Sequence, residues 1–217
     1  MLRLIRGSRP TFEGGATRPR DELAALVTGV VRGEPRAARS FVLAIASPVR
    51  RAVVMTLGST HGEVDDATQE AIMSALHALP RFRGECTATQ FAVRIAVRAA
   101  FAVRRRQRAR DRWVANAEAE GETVGADAEA SPLVHVEAAR RRDAIRRLLD
   151  ELPQPIAEAV VLYFMLGYTV PEIAALGQTP VNTIWSRLRV GRERMRQALS
   201  DDARLCAELG EISEDRR

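Results

Sequence analysis

The chain contains no lysine: all 33 of its basic residues are arginines, set against 28 acidic ones for a formal net charge of +5. Such an excess suits a polyanionic partner, although charge alone selects none. Arginine content also follows codon bias in a GC-rich genome, so the placement of the arginines carries more weight than their number. Cysteine and histidine are scarce. Cys86 and Cys206 stand far apart without metal-ligand spacing, and His61, His77 and His135 are scattered. Each reads as a packing or surface residue, and neither a metal nor a cofactor is expected. There is no phosphate-cradling glycine loop, no nucleophile elbow and no H-E-x-x-H, which leaves an enzyme little support. The N-terminal "MLRLIRGSRPTFEGG" lacks a signal-peptide core, and no 18-residue apolar run is expected to span a lipid bilayer. The expectation is a cytoplasmic protein without direct membrane insertion. Sustained period-two alternation is missing too, so no sheet is expected.

What remains is helical periodicity over a 46% hydrophobic chain, enough to close a core. Residues 1–20, rich in Gly, Pro, Ser, Thr and Arg, read as a mobile tail. In "DELAALVTGVV", Leu23, Leu26, Val27 and Val30 make one face, with Asp21 placed to cap. The next segment continues to Gly58, with Pro48 a point of interruption. "GEVDDATQEAIMSALHALP" is amphipathic, with Ile72, Ala75, Leu76 and Leu79 as the inner stripe and Pro80 as the stop. "TQFAVRIAVRAAFAVRRRQRAR" is a long helix that turns basic. From Leu79 to Trp113 there are ten arginines against two acids.

Composition then shifts. "ANAEAEGETVGADAEASPLVH" holds five acids, no base, two glycines and one proline, the signature of a linker. The expected class is all-α: two small helical domains, 21–113 and 137–199, joined by a flexible acidic linker over 114–136 and followed by an acidic tail over 200–217.

The second domain carries "TVPEIAALGQTPVNTIWSRLRVGRERMR". Thr169 and Glu172 have capping-box spacing, Pro171 falls in the first turn, and Ile173 and Leu176 point inward. Gly177 offers a left-handed residue to end that helix, and Thr179 caps the next. There Val181, Ile184, Leu188, Gly191, Met195 and Leu199 form an inner stripe. Gly191 should loosen this helix by about 1 kcal/mol. The opposite face offers Asn182, Trp185, Ser186, Arg189 and Arg192, with Arg187 and Arg196 beside them. A helix-turn-helix lays such a helix in the major groove, where small polar and arginine side chains reach base edges and phosphates. A helical hairpin with a solvated basic face is the alternative that this stretch alone leaves open.

The whole run from "LDELPQPIAEAVVLYFMLG" through "QAL" resembles the −35-reading domain of bacterial RNA polymerase sigma factors of the extracytoplasmic function (ECF) type. Glu172-Ile173-Ala174, Pro180-Val181, Thr183-Ile184 and Ser186-Arg187-Leu188 carry the likeness without gaps. Upstream, Asp66, Gln69 and Glu70 give the family's D-x-x-Q-E, and "TQFAVRIAVRAAFAVRRRQR", with Arg94-Ile95-Ala96, resembles its promoter-melting helix. The resemblance covers residues 21–112 and 137–199. It implies polymerase binding by Asp66, Gln69, Glu70 and Met73, and −10 contacts from Arg81, Phe82, Arg83, Phe91, Arg94, Arg98, Arg104 and Arg105. It likewise implies −35 contacts from Thr179, Asn182, Thr183, Trp185, Ser186, Arg187, Arg189 and Arg192. Core RNA polymerase and promoter DNA are the implied partners, with an anti-sigma factor as a further candidate. A stand-alone regulator that binds an operator without polymerase is the alternative. The chain departs from the family at Phe91, where a larger aromatic is common, and at Trp185, Val190 and Gly191, where lysine, arginine and alanine are frequent. Trp185 either packs on sugars or thymine methyls or covers a neighbouring helix.

Overall fold

The computed structural model describes residues 21–58, 61–118 and 144–201. The 1–20 tail, most of the acidic linker, nearly all of the acidic tail, His135 and Cys206 fall outside them. Every regular element among the described residues is helical, in keeping with the expected class. In order they are α1 (Ala24–Val31), α2 (Pro35–Leu57), α3 (Val64–Ala78), α4 (Ala88–Glu118), α5 (residues 144–150), α6 (Gln154–Val160), α7 (Val170–Gly177) and α8 (Val181–Asp201). Helix α4 thus extends past residue 113 into the stretch expected to be linker.

Helix α2 is the axis of the N-terminal group. Phe41, Ile45, Val49, Ala52 and Val53 are fully buried along one face. Small residues meet them: Ala67, Ala71 and Ala75 from α3, and Ala88, Ala92, Ala96 and Ala100 from α4. Alanine lets backbones approach closely, so the larger Ile72 and Leu76 are displaced to the flank, half-buried. The expected stripe on α3 is therefore shifted to Val64, Ala67, Ala71 and Ala75. Pro48 does not interrupt α2; burial of Ile45 and Val49 on either side outweighs a proline cost of about 3 kcal/mol. At 23 residues α2 is also long and apolar enough, by length and composition, to cross a membrane. Its buried face assigns it to the core.

Asp21 does more than start α1. Its Oδ1 accepts from Leu23 N–H at 3.1 Å, while its Oδ2 accepts from Ala88 N–H at 2.9 Å. One carboxylate thereby caps the N-terminus of α4, which lies 67 residues downstream. Thr87 and Gln90 complete that turn by reciprocal bonds of 3.0 and 3.2 Å.

In the C-terminal group, α6 relaxes into a π turn over Val161–Met165, where Leu166 N–H reaches the Val161 carbonyl at 3.0 Å. Gly167, at φ +79°, reverses the chain and brings Tyr168 inward. The capping box at Thr169 forms as expected, with Thr169 N–H donating to Glu172 at 2.8 Å. The turn after α7 differs from expectation. Gln178, not Gly177, takes the left-handed conformation (φ 47°). Gly177 is the last helical residue, and a Cβ there would stand 3.0 Å from Thr179 Oγ1. The Thr179 hydroxyl donates back to the Gly177 carbonyl at 3.0 Å, closing the turn where a cap on α8 was expected. Ile184 and Leu188 are buried as the inner stripe of α8, but Val181 is 42% exposed and leaves it. Gly191 is buried against α6, and a Cβ there would sit 2.7 Å from Val160 Cγ2. The glycine is a contact requirement as well as a weak point in the helix.

Candidate nucleic-acid interface

Three surfaces hold the residues singled out by the sequence. The first is α3. Asp66, Gln69, Glu70, Met73 and His77 are all exposed on one side of it. Beside them a groove of about 420 Å³ opens between α2 and α3, walled by Val42, Ile72, Met73 and Leu76 and rimmed by Arg50, Asp65 and Gln69. Met73 is 47% exposed and Leu43, on the adjacent helix, 71%. Apolar side chains open to water in an acidic and amide rim suit a protein partner. The Glu70–Arg106 pair at 3.6 Å is half exposed on both sides and contributes little.

The second surface is the basic helix and the loop before it. Arg81 and Arg83 are exposed on the loop. Phe82 and Phe91 pack on each other, ring centroids 5.1 Å apart, so they form one tilted pair. Cys86, between them in sequence, is buried, and burial, with Asp21 adding, pushes its thiol up to about 11.

The arginines of α4 are not simply solvated. Arg94 donates to the Leu176 carbonyl. Arg98 Nε donates to both Glu158 carboxylate oxygens at 3.1 Å. Arg104 forms a fork on Asp150, Nε to Oδ1 at 2.8 Å and Nη2 to Oδ2, while also donating to the carbonyls of Thr56 (3.3 Å) and Arg146 (2.9 Å). Arg105 donates to Gln154 Oε1 at 2.7 Å, and Arg108 to the Asp150 carbonyl at 2.9 Å and Glu151 at 3.3 Å. Gln90 adds a bond to Glu172 at 2.7 Å. Positions 90, 94, 98, 105 and 108, with 104 at the edge, share one helical face. That face lies against α5, α6 and α7. Asp150, Glu151 and Glu158 carry no role in the sequence analysis, and Glu172 enters it only as a capping-box and family-motif residue; the signal for the pairing was the set of carboxylates at 150, 151, 158 and 172 opposite so basic a helix. On the other side of α4, Arg110 meets Glu63 at 3.3 Å. Gln107 Oε1 accepts from His61 Nε2 at 2.7 Å, leaving His61 Nδ1 to accept from Glu63 N–H at 3.1 Å.

The third surface is the first half of α8. Asn182, Trp185, Ser186, Arg189 and Arg192 are exposed together, Thr183 and Arg187 are half-buried at the sides, and Thr179 sits in the turn. Trp185 is 54% exposed, with its ring 6.4 Å from Tyr163, which in turn meets Phe164 edge-on at 4.8 Å. One face leans on Tyr163, as the helix-covering reading expects, while the rest projects with the polar residues. A helix pinned by Ile184 and Leu188, offering amides, hydroxyls, guanidinium groups and one indole, can enter a major groove.

Residues 41–110 match the family Sigma-70 region 2, and residues 142–195 match Sigma-70, region 4. The chain is similar to the ECF RNA polymerase sigma-E factor of Escherichia coli, 33% identical over 172 residues that cover 77% of this chain and 89% of that protein. It is similar as well to the RNA polymerase sigma-H factor of Pseudomonas aeruginosa, 32% identical over 183 residues, 80% of this chain and 92% of the relative. The solved structure of CnrH in complex with the cytosolic domain of CnrY shares the fold, with a TM-score of 0.53 at 20% identity, over 82% of this chain and 97% of CnrH.

Proposed function

Since this chain belongs to the ECF RNA polymerase sigma factors, we propose that its three surfaces divide the work of transcription initiation among them. It binds core RNA polymerase, recognises promoter DNA and starts transcription, acting in the cytoplasm without chemistry of its own. The exposed side of α3, with Asp66, Gln69, Glu70 and Met73 beside the apolar groove, docks the polymerase. The loop carrying Arg81, Phe82 and Arg83, with Phe91 and the arginines of α4, meets the −10 region, where guanidinium groups track the backbone and the Phe82–Phe91 pair offers a stacking edge. The first half of α8 reads the −35 region. In this reading the two halves span 21–113 and 137–199, with α4 continuing beyond the first. An anti-sigma factor is a further partner, by analogy with the CnrH–CnrY complex.

The observation that carries this reading is the joint exposure of Asn182, Trp185, Ser186 and Arg189 on a helix whose opposite side is buried. In vitro transcription with core polymerase tests it. The expected result is promoter-dependent initiation that falls when Gln69→Ala removes a polymerase contact or Arg189→Ala removes a −35 contact. A chain that binds an operator tightly alone, and that never initiates with polymerase, refutes it.

A further inference from the structure

The row of side chains that leads α8 is apolar at its start and basic further on. Val181, Trp185 and Arg189 follow at i, i+4 and i+8, so they lie on one line along the helix. Val181 and Trp185 are both exposed, whereas Ile184 and Leu188 are buried and fix the helix. Trp185 is held from the side as well. Its ring stands 6.4 Å from Tyr163, tilted by 60°, and Tyr163 meets Phe164 edge-on. An indole has one donor, Nε1–H, and no acceptor, so it matches polar base edges poorly beside Asn182, Ser186 and Arg189. Among the four bases, the one apolar group displayed in the major groove is the thymine C5-methyl. Two apolar side chains set together at the leading end of such a helix are matched to that group.

On the reading of α8 as the −35 helix, on which this inference rests, we propose that Val181 and Trp185 form an apolar edge that reads thymine methyl groups in the −35 element. Tyr163 is the positioning residue that holds the indole on this edge. The N-terminal residues of a recognition helix meet the base edges, which suits Val181 and Trp185, while Arg189 and Arg192 farther along supply charge for the duplex. The chain therefore selects an A·T pair in a set orientation at that point, by the methyl and not by hydrogen bonds.

Holoenzyme assembled from this chain and core polymerase is allowed to select from promoter duplexes randomised over the −35 region. In the selected duplex each −35 thymine is then replaced singly by deoxyuridine, which keeps the pairing and removes only the methyl. Burial of one methyl is worth about fourfold in affinity, so one or two adjacent positions should weaken binding by about that factor at fixed salt. Trp185→Ala should bind the thymine and uracil duplexes alike. Trp185→Lys should select guanine in place of thymine there, since an ammonium suits guanine O6 and N7. Tyr163→Ala should lose part of the methyl dependence, and Tyr163→Phe, which keeps the ring, should retain it. A selected −35 sequence without thymine on either strand, or a flat uracil scan, overturns the proposal; both are read on the wild-type chain. Loss of holoenzyme assembly in Trp185→Ala, together with a flat scan, assigns the edge to the polymerase and overturns it too. Failure to select any −35 sequence sinks the reading of α8 itself. Selection that depends on Asn182 and Arg189 but ignores the methyl sinks only the apolar edge.

Discussion

Gly191→Ala should destabilise the C-terminal helices, although helix propensity says the opposite. In an unpacked helix the change gains about 1 kcal/mol. Here the new methyl would stand 2.7 Å from Val160 Cγ2 and 3.0 Å from Ile156 Cγ2. Val160 is β-branched, buried at 3% exposure and cannot swing away, so α8 must lift from α6. Overpacking of this kind costs about 1–3 kcal/mol, which leaves a net loss of about 1 kcal/mol. Val160→Ala removes the opposing methyl. In that background the propensity gain should reappear, so Gly191→Ala changes sign and the cycle shows a coupling of about 2 kcal/mol. Urea unfolding monitored by Trp185 fluorescence, in a Trp113→Phe background, measures all four corners. If Gly191→Ala stabilises the chain with Val160 present, or if the two changes simply add, the close contact is not real and the glycine is only a defect.

Other expectations follow from individual contacts. Thr169→Ala removes one half of the capping box and should cost about 1 kcal/mol, read by the same unfolding assay. Arg189→Ala and Trp185→Ala should each weaken binding to a −35 duplex by about 1–3 kcal/mol while leaving helicity unchanged. In gel-shift titrations with polymerase holoenzyme, unaltered affinity would remove them from the interface. Alkaline pH should unfold the chain early. Burial, with Asp21 adding, raises the Cys86 thiol to about 11, and burial, with Glu172 adding, raises Tyr168 to about 12. Both groups are neutral when protonated and titrate higher in the fold. Their contribution is intact below the ordinary values of 9.0 and 10.0 and is lost as pH rises toward 11 and 12. Thermal melts from pH 8 upward check it: Tm should hold to about pH 9 and then fall, with Cys86→Ser delaying the onset.

Much of this architecture was legible in local pattern. The capping box at Thr169, the Gly58 stop and the buried Ile173, Ile184 and Leu188 depend on neighbours within a few residues, so spacing reveals them. Where the reading slipped, a distant residue had intervened. Asp21 looked like a local cap because its second partner, Ala88, is 67 positions away. Ile72 and Leu76 looked like core because they are bulky and apolar, yet the fully buried line of α3 runs through Val64, Ala67, Ala71 and Ala75 and leaves them at its flank. Val181 sits in register with Ile184 and Leu188, but the turn that precedes it carries it outward. The exposed sites on α3 and α8 were legible for the same local reason. The partners of the α4 arginines were not, since no periodicity within α4 names a carboxylate some 50 residues ahead.

The absence of lysine acquires a physical meaning at one place in the molecule. Arg104 satisfies four acceptors at once: both oxygens of Asp150 and the carbonyls of Thr56 and Arg146. Those atoms belong to α2 and α5, so a single side chain ties the N-terminal core to the C-terminal helices. An ammonium has three donors around a point and no planar fork, so lysine at 104 could not face Asp150 with two parallel bonds and still reach both carbonyls. The two properties that let arginine grip a strand phosphate, the fork and the permanent charge, are the ones that let it grip Asp150. What brings the guanidinium to Asp150 is the placing of α5 against α4, a relation that no pattern within either helix announces.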